Sequence, residues 1–551
     1  MGKSGNSHIL QQGQCTIEMM QKLNRGFNLI IVFCLFVASL VVLTVSSVTT
    51  IYYDMHCEND WPKYGKENIP LLVLLVVIVF AVLWLMNKMQ LFERSKLLLV
   101  IALGVITAYC LMLILVIHPQ AVNDSKMIDD IINQFAKGDY SSLTEKGGYL
   151  YIWPFQLGYV GFGQIMYSFF GESNYFAWDI VQLISILITI YLLYQITWEL
   201  FEDETVCGIM AVISCGALFF YNFVTYIYGD IISMAPQTLA LYFMILFVKS
   251  EKIRYALLSA ISIAVAVLIK TNCEIALIAI VMVLMVSAIP VKQKTKNVEL
   301  FKATDVSSQN RTSKIKRVIV RLVLAVIIIA LTFGAKHAVD AYYCKVTGLE
   351  AIPAGSPSWS HIAMGLQESE LEDGWYNRYN YDVFAENGYD TDATAAAAKK
   401  NILETLTTFV HRPLHGLKFF ARKFTTQWAD SVCISTHDLD LVSRHVDIQS
   451  PLRDYLVFGS DKGCPLLICI MNVFMPICYI GVAVYLFGIL KGRAVSHQEM
   501  LLLILIFGGI VFHEFWEGSS RYAMRYYIYW LPYAAYGIKV ILRAIPFGKA
   551  K

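Results

Sequence analysis

One acidic residue, Asp124, follows an apolar run by only a few positions, where a membrane segment would meet water. Apolar residues then recur with helical spacing as far as Phe135, and Gly138 is a natural end for that helix because glycine adopts the left-handed conformation without strain. A carboxylate there is available to remove a proton from a substrate at the membrane surface. It is equally suited to cap the helix and to stabilise the helix dipole. Position alone leaves both roles open.

Other charged residues lie where apolar runs end: Asp230, Lys270, Glu517, Arg521 and Arg525. Four of them also have an explanation that involves no chemistry. Asp230 belongs to a short loop that water would reach, and Lys270 is long enough to extend along an apolar surface into water. Glu517 and Arg521 have the i, i+4 spacing of an ion pair within a helix.

Composition predicts an all-α polytopic membrane protein. The 551 residues are 57% hydrophobic and 16% charged, against about 25% charged in soluble domains, and the mean hydropathy is +0.55. Apolar runs of about 20 residues, enough to cross a bilayer as helices, recur along the chain. About twelve spans are predicted: 28–49, 69–87, 97–117, 176–198, 207–223, 234–249, 255–270, 274–291, 318–338, 465–490, 499–515 and 527–546.

Lysine and arginine in the short loops predict the orientation in the cell membrane. When the spans alternate, the basic residues at the N-terminus, at 88–96, 252–254, 292–317 and 491–493, and in the tail all fall on one side. That side is expected to be the cytoplasm, so both termini are expected to be cytoplasmic.

Two long loops are expected on the outer side, at 118–175 and 339–464. The first is predicted to form interfacial helices, and the second is too long for a simple connection. We therefore divide the chain into an N-terminal membrane module (1–338), an outer loop region (339–464) and C-terminal membrane helices (465–551). Within the loop region, 411–428 reads as a basic amphipathic helix at the headgroup layer, with aromatic residues at Phe419, Phe420, Phe424 and Trp428.

Several short motifs occur in one order along the chain. They are Asp124 with AKGDY at 136–140, an aromatic segment at 151–158, YIYGD at 226–230, IKTN at 269–272 and EGSSRY at 517–522. Together they resemble the GT-C class of membrane glycosyltransferases, in particular the bacterial protein-mannosyltransferase-like and aminoarabinose-transferase-like enzymes. At this motif the family usually has two adjacent acids, where this chain has Asn123, Asp124 and Ser125.

The resemblance implies a glycosyltransferase with an inverting displacement at the outer face. The donor would be a polyprenyl-phosphate sugar within the membrane lipid, and the acceptor a polysaccharide, teichoic acid, lipid-linked glycan or protein. Asp124 would be the general base. Substrate-binding positions would be Asp230, Lys270, Glu517, Arg521 and Arg525, with the three cations near the departing phosphate. With Asp124 as the one acid at that motif of the first loop, a divalent metal is not favoured. No other cofactor and no nucleic-acid partner are expected, because no nucleotide-binding glycine loop is found.

A lipid or glycan transporter without chemistry is the alternative. Such a protein would place ionisable residues in mid-membrane and often show related halves. Here the predicted spans are nearly free of charge, and no internal repeat is found. This pattern favours chemistry at the surface, with a structural assembly subunit as a third hypothesis. Twelve scattered cysteines show no metal-ligand spacing, and a disulfide among Cys57, Cys344, Cys433 and Cys464 is left open.

Overall fold

The computed structural model describes residues 4–57, 60–288, 311–444, 446 and 450–544. The prediction of a basic cytoplasmic segment at 292–317 falls mostly outside the described residues, as do the tail lysines. Most of the described chain is helical, and its two strands are short. An all-α architecture is therefore confirmed.

A small β-hairpin connects the first two membrane helices. The elements are α1 (Ser4–Val48), β1 (Thr49–Tyr52), β2 (Lys63–Lys66), α2 (Ile69–Lys88) and α3 (Ser95–Ile117). The two strands pair antiparallel, with Thr50 opposite Gly65. The strands follow the C-terminal end of α1 and precede the N-terminal end of α2.

The first long loop forms short helices, as predicted. They are α4 (Asn123–Ala136), α5 (Ser141–Thr144), α6 (Tyr149–Ile152) and α7 (Leu157–Phe170). Gly138 follows α4 with a φ of +83°, the left-handed conformation expected of it. The apolar face of α4 is buried through Ile128 and Phe135, whereas Met127 is 49% exposed and does not belong to that face.

The central helices vary in length and two are interrupted. They are α8 (Tyr175–Phe201), α9 (Glu204–Ser214), α10 (Leu218–Tyr221), α11 (Gly229–Ile232), α12 (Met234–Ser250), α13 (Ile253–Ile269), α14 (Glu274–Val286) and α15 (Arg311–Thr347). The chain breaks between α9 and α10 and again between α13 and α14. The second break contains Lys270, Thr271 and Asn272, whereas the first, at 215–217, contains no charged residue.

The second long loop is structured, as predicted. Its helices are α16 (Ser358–Gly365), α17 (Tyr379–Glu386), α18 (Thr391–His411), α19 (Pro413–Trp428), α20 (Ser435–Ser443) and α21 (Pro451–Phe458). The aromatic face expected to lie on lipid is instead packed inward at Phe419 and Trp428, which are 2% and 3% exposed. Those two rings fill space between α19 and the rest of the protein.

The C-terminal helices are α22 (Pro465–Leu490), α23 (His497–Phe515), α24 (Ser520–Tyr527) and α25 (Leu531–Ala544). Helices α22 and α25 approach closely at paired glycines. A Cβ atom on Gly537 would lie 1.8 Å from the carbonyl oxygen of Gly481. Only a residue without a side chain fits there.

Eight helices of the described chain are long and apolar enough to cross a membrane, and the bent pair Glu204–Ser214 with Leu218–Thr225 raises this to nine. Two further apolar helices, Ile253–Ile269 and Thr271–Val286, are shorter. The chain is a multi-pass membrane protein, but the count of twelve spans is not confirmed. Breaks at Gly216 and at Lys270 shorten helices that are packed inside the bundle. Cys57, Cys344, Cys433 and Cys464 are all free.

Candidate active site

Asp230 and Lys270 form a buried ion pair at two helix breaks. Asp230 lies on α11, and Lys270 follows the last residue of α13. Their side chains are 4% and 10% exposed, and Lys270 Nζ lies 3.1 Å from Asp230 Oδ2. Gly229 permits this approach, because a Cβ atom there would lie 2.7 Å from the Ile269 carbonyl oxygen. Asp230 is therefore not solvated, and Lys270 does not extend into water.

Arg521 on α24 is partly exposed and lies among tyrosine rings. Its Nη1 donates to the Tyr226 hydroxyl at 3.0 Å. The guanidinium lies 5.3 to 5.6 Å from the ring centres of Tyr226, Tyr228 and Tyr522. Its Nε has no hydrogen-bond partner among the described residues.

Arg525 lies one helical turn further along α24 and is only 1% exposed. One amino group donates to Ser233 Oγ at 2.8 Å and to Cys273 Sγ at 3.3 Å. Within the described part of the chain, its Nε and Nη1 have no partner. Buried donors of this kind are costly unless something accepts from them.

The cations outnumber the carboxylates that compensate them. Lys270, Arg521 and Arg525 all act electrostatically on Asp230, yet among the described residues Asp230 is the only carboxylate in ion-pair contact with any of the three. Together with the unsatisfied guanidinium donors, this leaves excess positive charge and hydrogen-bond donors without partners among the described residues. A phosphate carries the complementary negative charge and accepts hydrogen bonds.

Two acids near Arg521 remain largely uncharged below neutral pH. Burial raises the pKa of Glu517 to about 7, and the Asp124 charge contributes in the same direction, whereas Tyr522 and Arg521 oppose the rise. Burial likewise raises the pKa of Asp438 to about 7, with Arg521 opposing. Neither acid therefore neutralises the positive charge of the site as a fully ionised carboxylate would.

The i, i+4 ion pair between Glu517 and Arg521 does not form in the described structure. Glu517 precedes the first residue of α24, and its Oε1 accepts from the Tyr522 hydroxyl at 3.1 Å. Arg521 bonds to Tyr226 instead. Both side chains are thus held by tyrosines and not by each other.

Asp124 is exposed at the start of α4 and does not cap that helix. Ser125 takes the capping role, since its Oγ accepts from the Val122 N–H at 2.8 Å. Asp124 makes no side-chain hydrogen bond to any residue that the structure describes. Its charge nevertheless reaches the cluster: burial raises the pKa of Tyr149, and Asp124 raises it further. Its influence on Glu517 is of the same sign. The carboxylate is exposed to water and lies close enough to act electrostatically on Tyr149 and Glu517.

The outer loop region is attached beside Glu517. The Gly518 N–H donates to the Gly374 carbonyl at 2.8 Å. Lys423, fully buried on α19, donates from Nζ to the carbonyls of Glu514 and Trp516 at 3.1 and 2.7 Å. The ring of His361 stacks on Trp516 with centroids 4.8 Å apart. The loop region therefore fixes the turn that carries Glu517.

All six site residues predicted from sequence lie within one electrostatically connected cluster. Sequence reasoning missed three contributors: Asp438, which approaches Arg521, Lys423, which secures the turn, and Tyr376, whose pKa Glu517 and Asp124 both raise in addition to the effect of burial. Lys423 carried no signal, because a lysine in a basic helix is expected to face water. Among the described residues, no three His, Cys, Asp or Glu side chains are grouped to hold a metal ion.

Residues 162–303 match the family described as dolichyl-phosphate-mannose-protein mannosyltransferase. The matched segment contains Asp230 and Lys270, and it confirms the resemblance to the GT-C class of membrane glycosyltransferases. No curated protein shows significant sequence similarity to the chain.

Two solved structures are similar at low identity. One is ArnT from Cupriavidus metallidurans bound to undecaprenyl phosphate, at 13% identity over 81% of this chain and 77% of that chain, with a TM-score of 0.30. The other is the same protein in the apo state, at 11% identity over 80% and 76%, with a TM-score of 0.28. Because these TM-scores are low, the resemblance to the class rests on the family match.

Proposed function

We propose that this protein transfers one sugar from a polyprenyl-phosphate donor to an acceptor hydroxyl at the outer face of the membrane. The acceptor would be an envelope polysaccharide, a teichoic acid, a lipid-linked glycan or a protein. The family match supports a membrane glycosyltransferase, and the family description names a dolichyl-phosphate sugar as donor. Dolichol is a polyprenol, so the proposed donor belongs to the same chemical group.

One observation carries the proposal: among the described residues, three cations have one carboxylate, Asp230, in ion-pair contact. Lys270 is paired with Asp230, whereas Arg521 and Arg525 keep unsatisfied donors. The lipid phosphate would accept from these guanidinium groups, and its polyprenyl chain would lie between the apolar helices. Arg525 is held in place by Ser233 and Cys273, so its geometry is set before the donor arrives.

Asp124 would act as the general base. Its carboxylate takes the proton of the acceptor hydroxyl as the acceptor oxygen bonds to the anomeric carbon. The bond between that carbon and the phosphate oxygen breaks, and the electron pair leaves with the polyprenyl phosphate. The leaving group gains negative charge during this step, so fixed cations stabilise the transition state more than the ground state. Attack opposite the leaving group inverts the anomeric centre.

We further propose that the reaction proceeds without a divalent metal, since Lys270, Arg521 and Arg525 would supply the positive charge that the departing phosphate needs. Transfer should then survive treatment with a chelator. Loss of transfer on chelation, restored by Mg²⁺ or Mn²⁺, would contradict this.

Binding of undecaprenyl phosphate tests the donor site directly. The purified protein should gain thermal stability with undecaprenyl phosphate but not with undecaprenol, which lacks the phosphate; at 100 times Kd the gain would be about 2.7 kcal/mol. Arg521→Gln should remove most of that gain. Arg378→Gln is the matched control, because Arg378 is a 64% exposed cation of the outer loop region. Equal stabilisation by both lipids would reject a phosphate site.

A further inference from the structure

Helices α18 and α19 form a hairpin whose far end carries exposed apolar side chains. On α18 these are Leu403, Leu406 and Val410, and on α19 they are Leu414 and Leu417. The exposed fractions reach 77% at Val410 and 74% at Leu414. In a water-facing loop region such side chains would be expected inside.

The exposed residues form stripes and are not scattered. Positions 403, 406 and 410 are spaced i, i+3 and i+7, which places them on one face of α18. Positions 414, 417 and 421 repeat that spacing on α19, and Ala421 is also exposed. Each helix of the hairpin therefore presents one apolar face that no described residue covers.

The surroundings of the stripes are basic. Between 399 and 418 the chain has four lysine or arginine residues, Lys399, Lys400, Arg412 and Lys418, and one acid, Glu404. All five are exposed. An apolar stripe flanked by exposed cations is suited to the headgroup layer of an anionic bilayer.

The hairpin also lies close to the end of a membrane-spanning helix. The Phe420 ring on α19 lies 5.9 Å from the ring of Phe515, and Phe515 ends a helix long enough to span the membrane. Leu417 is one turn, and Leu414 two turns, along α19 from Phe420, or about 4.5 and 9 Å along the helix axis. The apolar stripe of α19 thus begins beside a membrane boundary.

We infer that the far end of the α18–α19 hairpin docks into the anionic lipid leaflet next to the outer loop region. The stripe of α19 enters the acyl boundary, while Arg412 and Lys418 contact lipid phosphates. The near end of α19 is fixed to the protein by Lys423, which bonds to the turn before α24. Docking therefore fixes the distance between the outer loop region and the bilayer. The cluster around Glu517 then lies on the membrane side of that region.

Lipid quenching of a fluorescent probe tests the docking. A Leu414→Cys protein, freed of its accessible native cysteines and labelled with an environment-sensitive dye, is reconstituted in vesicles of phosphatidylcholine and phosphatidylglycerol. Spin-labelled lipid should quench this probe several-fold more than the same probe at Glu386→Cys, an exposed position of α17. Equal, weak quenching at both positions would overturn the proposal.

The electrostatic part has its own test. Omitting phosphatidylglycerol, or combining Arg412→Gln with Lys418→Gln, should reduce quenching at position 414; unchanged quenching would remove anionic lipid from the proposal. A second copy of the chain is the competing explanation. If the protein is a dimer and the probe is shielded from water but not quenched by lipid, that second copy covers the stripe and the docking proposal is overturned. None of these measurements depends on sugar transfer.

Discussion

At the scale of single residues, the buried pair of Asp230 and Lys270 has a large effect on both stability and charge. Removing two ions from water costs several kcal/mol for each, and their mutual attraction offsets this only when both partners are present. The pair lies at a helix break beside two arginines, where the local charge affects the binding of an anionic substrate. It is therefore better explained by function than by stability.

Replacing Asp230 by Ala should be strongly destabilising. It leaves Lys270 buried without its counter-ion and close to Arg521 and Arg525, so we expect a loss of about 3–5 kcal/mol in unfolding free energy. Thermal unfolding in detergent measures this. The double change Asp230→Asn with Lys270→Met should recover much of the stability but no activity. Asp130→Asn is the control, since the Lys126–Asp130 pair is about half exposed and is expected to contribute at most about 1 kcal/mol.

Glu517 predicts a pH dependence of stability. Its pKa rises from 4.5 to about 7 on folding, mainly because burial disfavours the carboxylate. The folded state therefore binds more protons than the unfolded state between these values, and stability falls as pH rises from about 4.5 to 7. In thermal unfolding, Glu517→Gln should match the wild type near pH 4.5 and exceed it at pH 8. An identical pH profile for both proteins would contradict this explanation.

Residue types and their order predicted the six members of the cluster, because each is a charged residue at the end of an apolar run on the side predicted to face outward. Their partners were not predictable from one sequence. Tyrosines such as Tyr226 and Tyr228 are common at a membrane interface, and Asp438 belongs to the outer loop region, where no motif distinguishes it. What brings them to Arg521 is the packing of segments about 80 to 300 positions apart in the sequence.

At the scale of helices, close packing of α22 on α25 supports α24, which carries both arginines. The two backbones meet at Gly481 and Gly537, and a Cβ atom at either position would overlap a carbonyl oxygen or backbone atom of the other helix. Sequence periodicity predicted where these helices lie, but not that they meet through glycines. Breaks in the helices were predicted less well, because an interrupted helix buried in the bundle is as apolar as a spanning one.

Gly537→Ala should therefore destabilise the protein, with losses of about 1–3 kcal/mol or more from overpacking. Gly488→Ala on α22 is the matched control, because a Cβ atom there meets no atom within 4 Å and alanine favours a helix. Melting temperature should fall for the first variant and stay level or rise for the second. A neutral Gly537→Ala variant would show that the two helices are further apart.

At the scale of the whole molecule, the cluster, both long loop regions and the hairpin tip lie toward one end of the helices. The distribution of basic residues predicts that this end faces outward. Hydropathy was sufficient to predict a membrane protein and a structured second loop, because both predictions follow from composition and segment length. It was not sufficient for the number of spans, which depends on helix breaks.

Orientation is measurable with an impermeant thiol reagent on intact cells. A cysteine at Glu386 should be labelled from outside, whereas a cysteine at Lys252, in the short turn between α12 and α13, should be protected until the membrane is opened. The reverse pattern would place the proposed reaction in the cytoplasm.

The central claim is that the Asp124 carboxylate removes the acceptor proton. Mass spectrometry of envelope glycans from cells that depend on the wild-type, Asp124→Asn or Asp130→Asn protein tests it most directly, with undecaprenyl phosphate binding as a check on folding. We predict that Asp124→Asn lowers sugar transfer by roughly 100- to 10,000-fold, so that the modified glycan disappears while lipid binding and the Asp130→Asn product remain. A normal glycan profile from the Asp124→Asn protein would contradict the account.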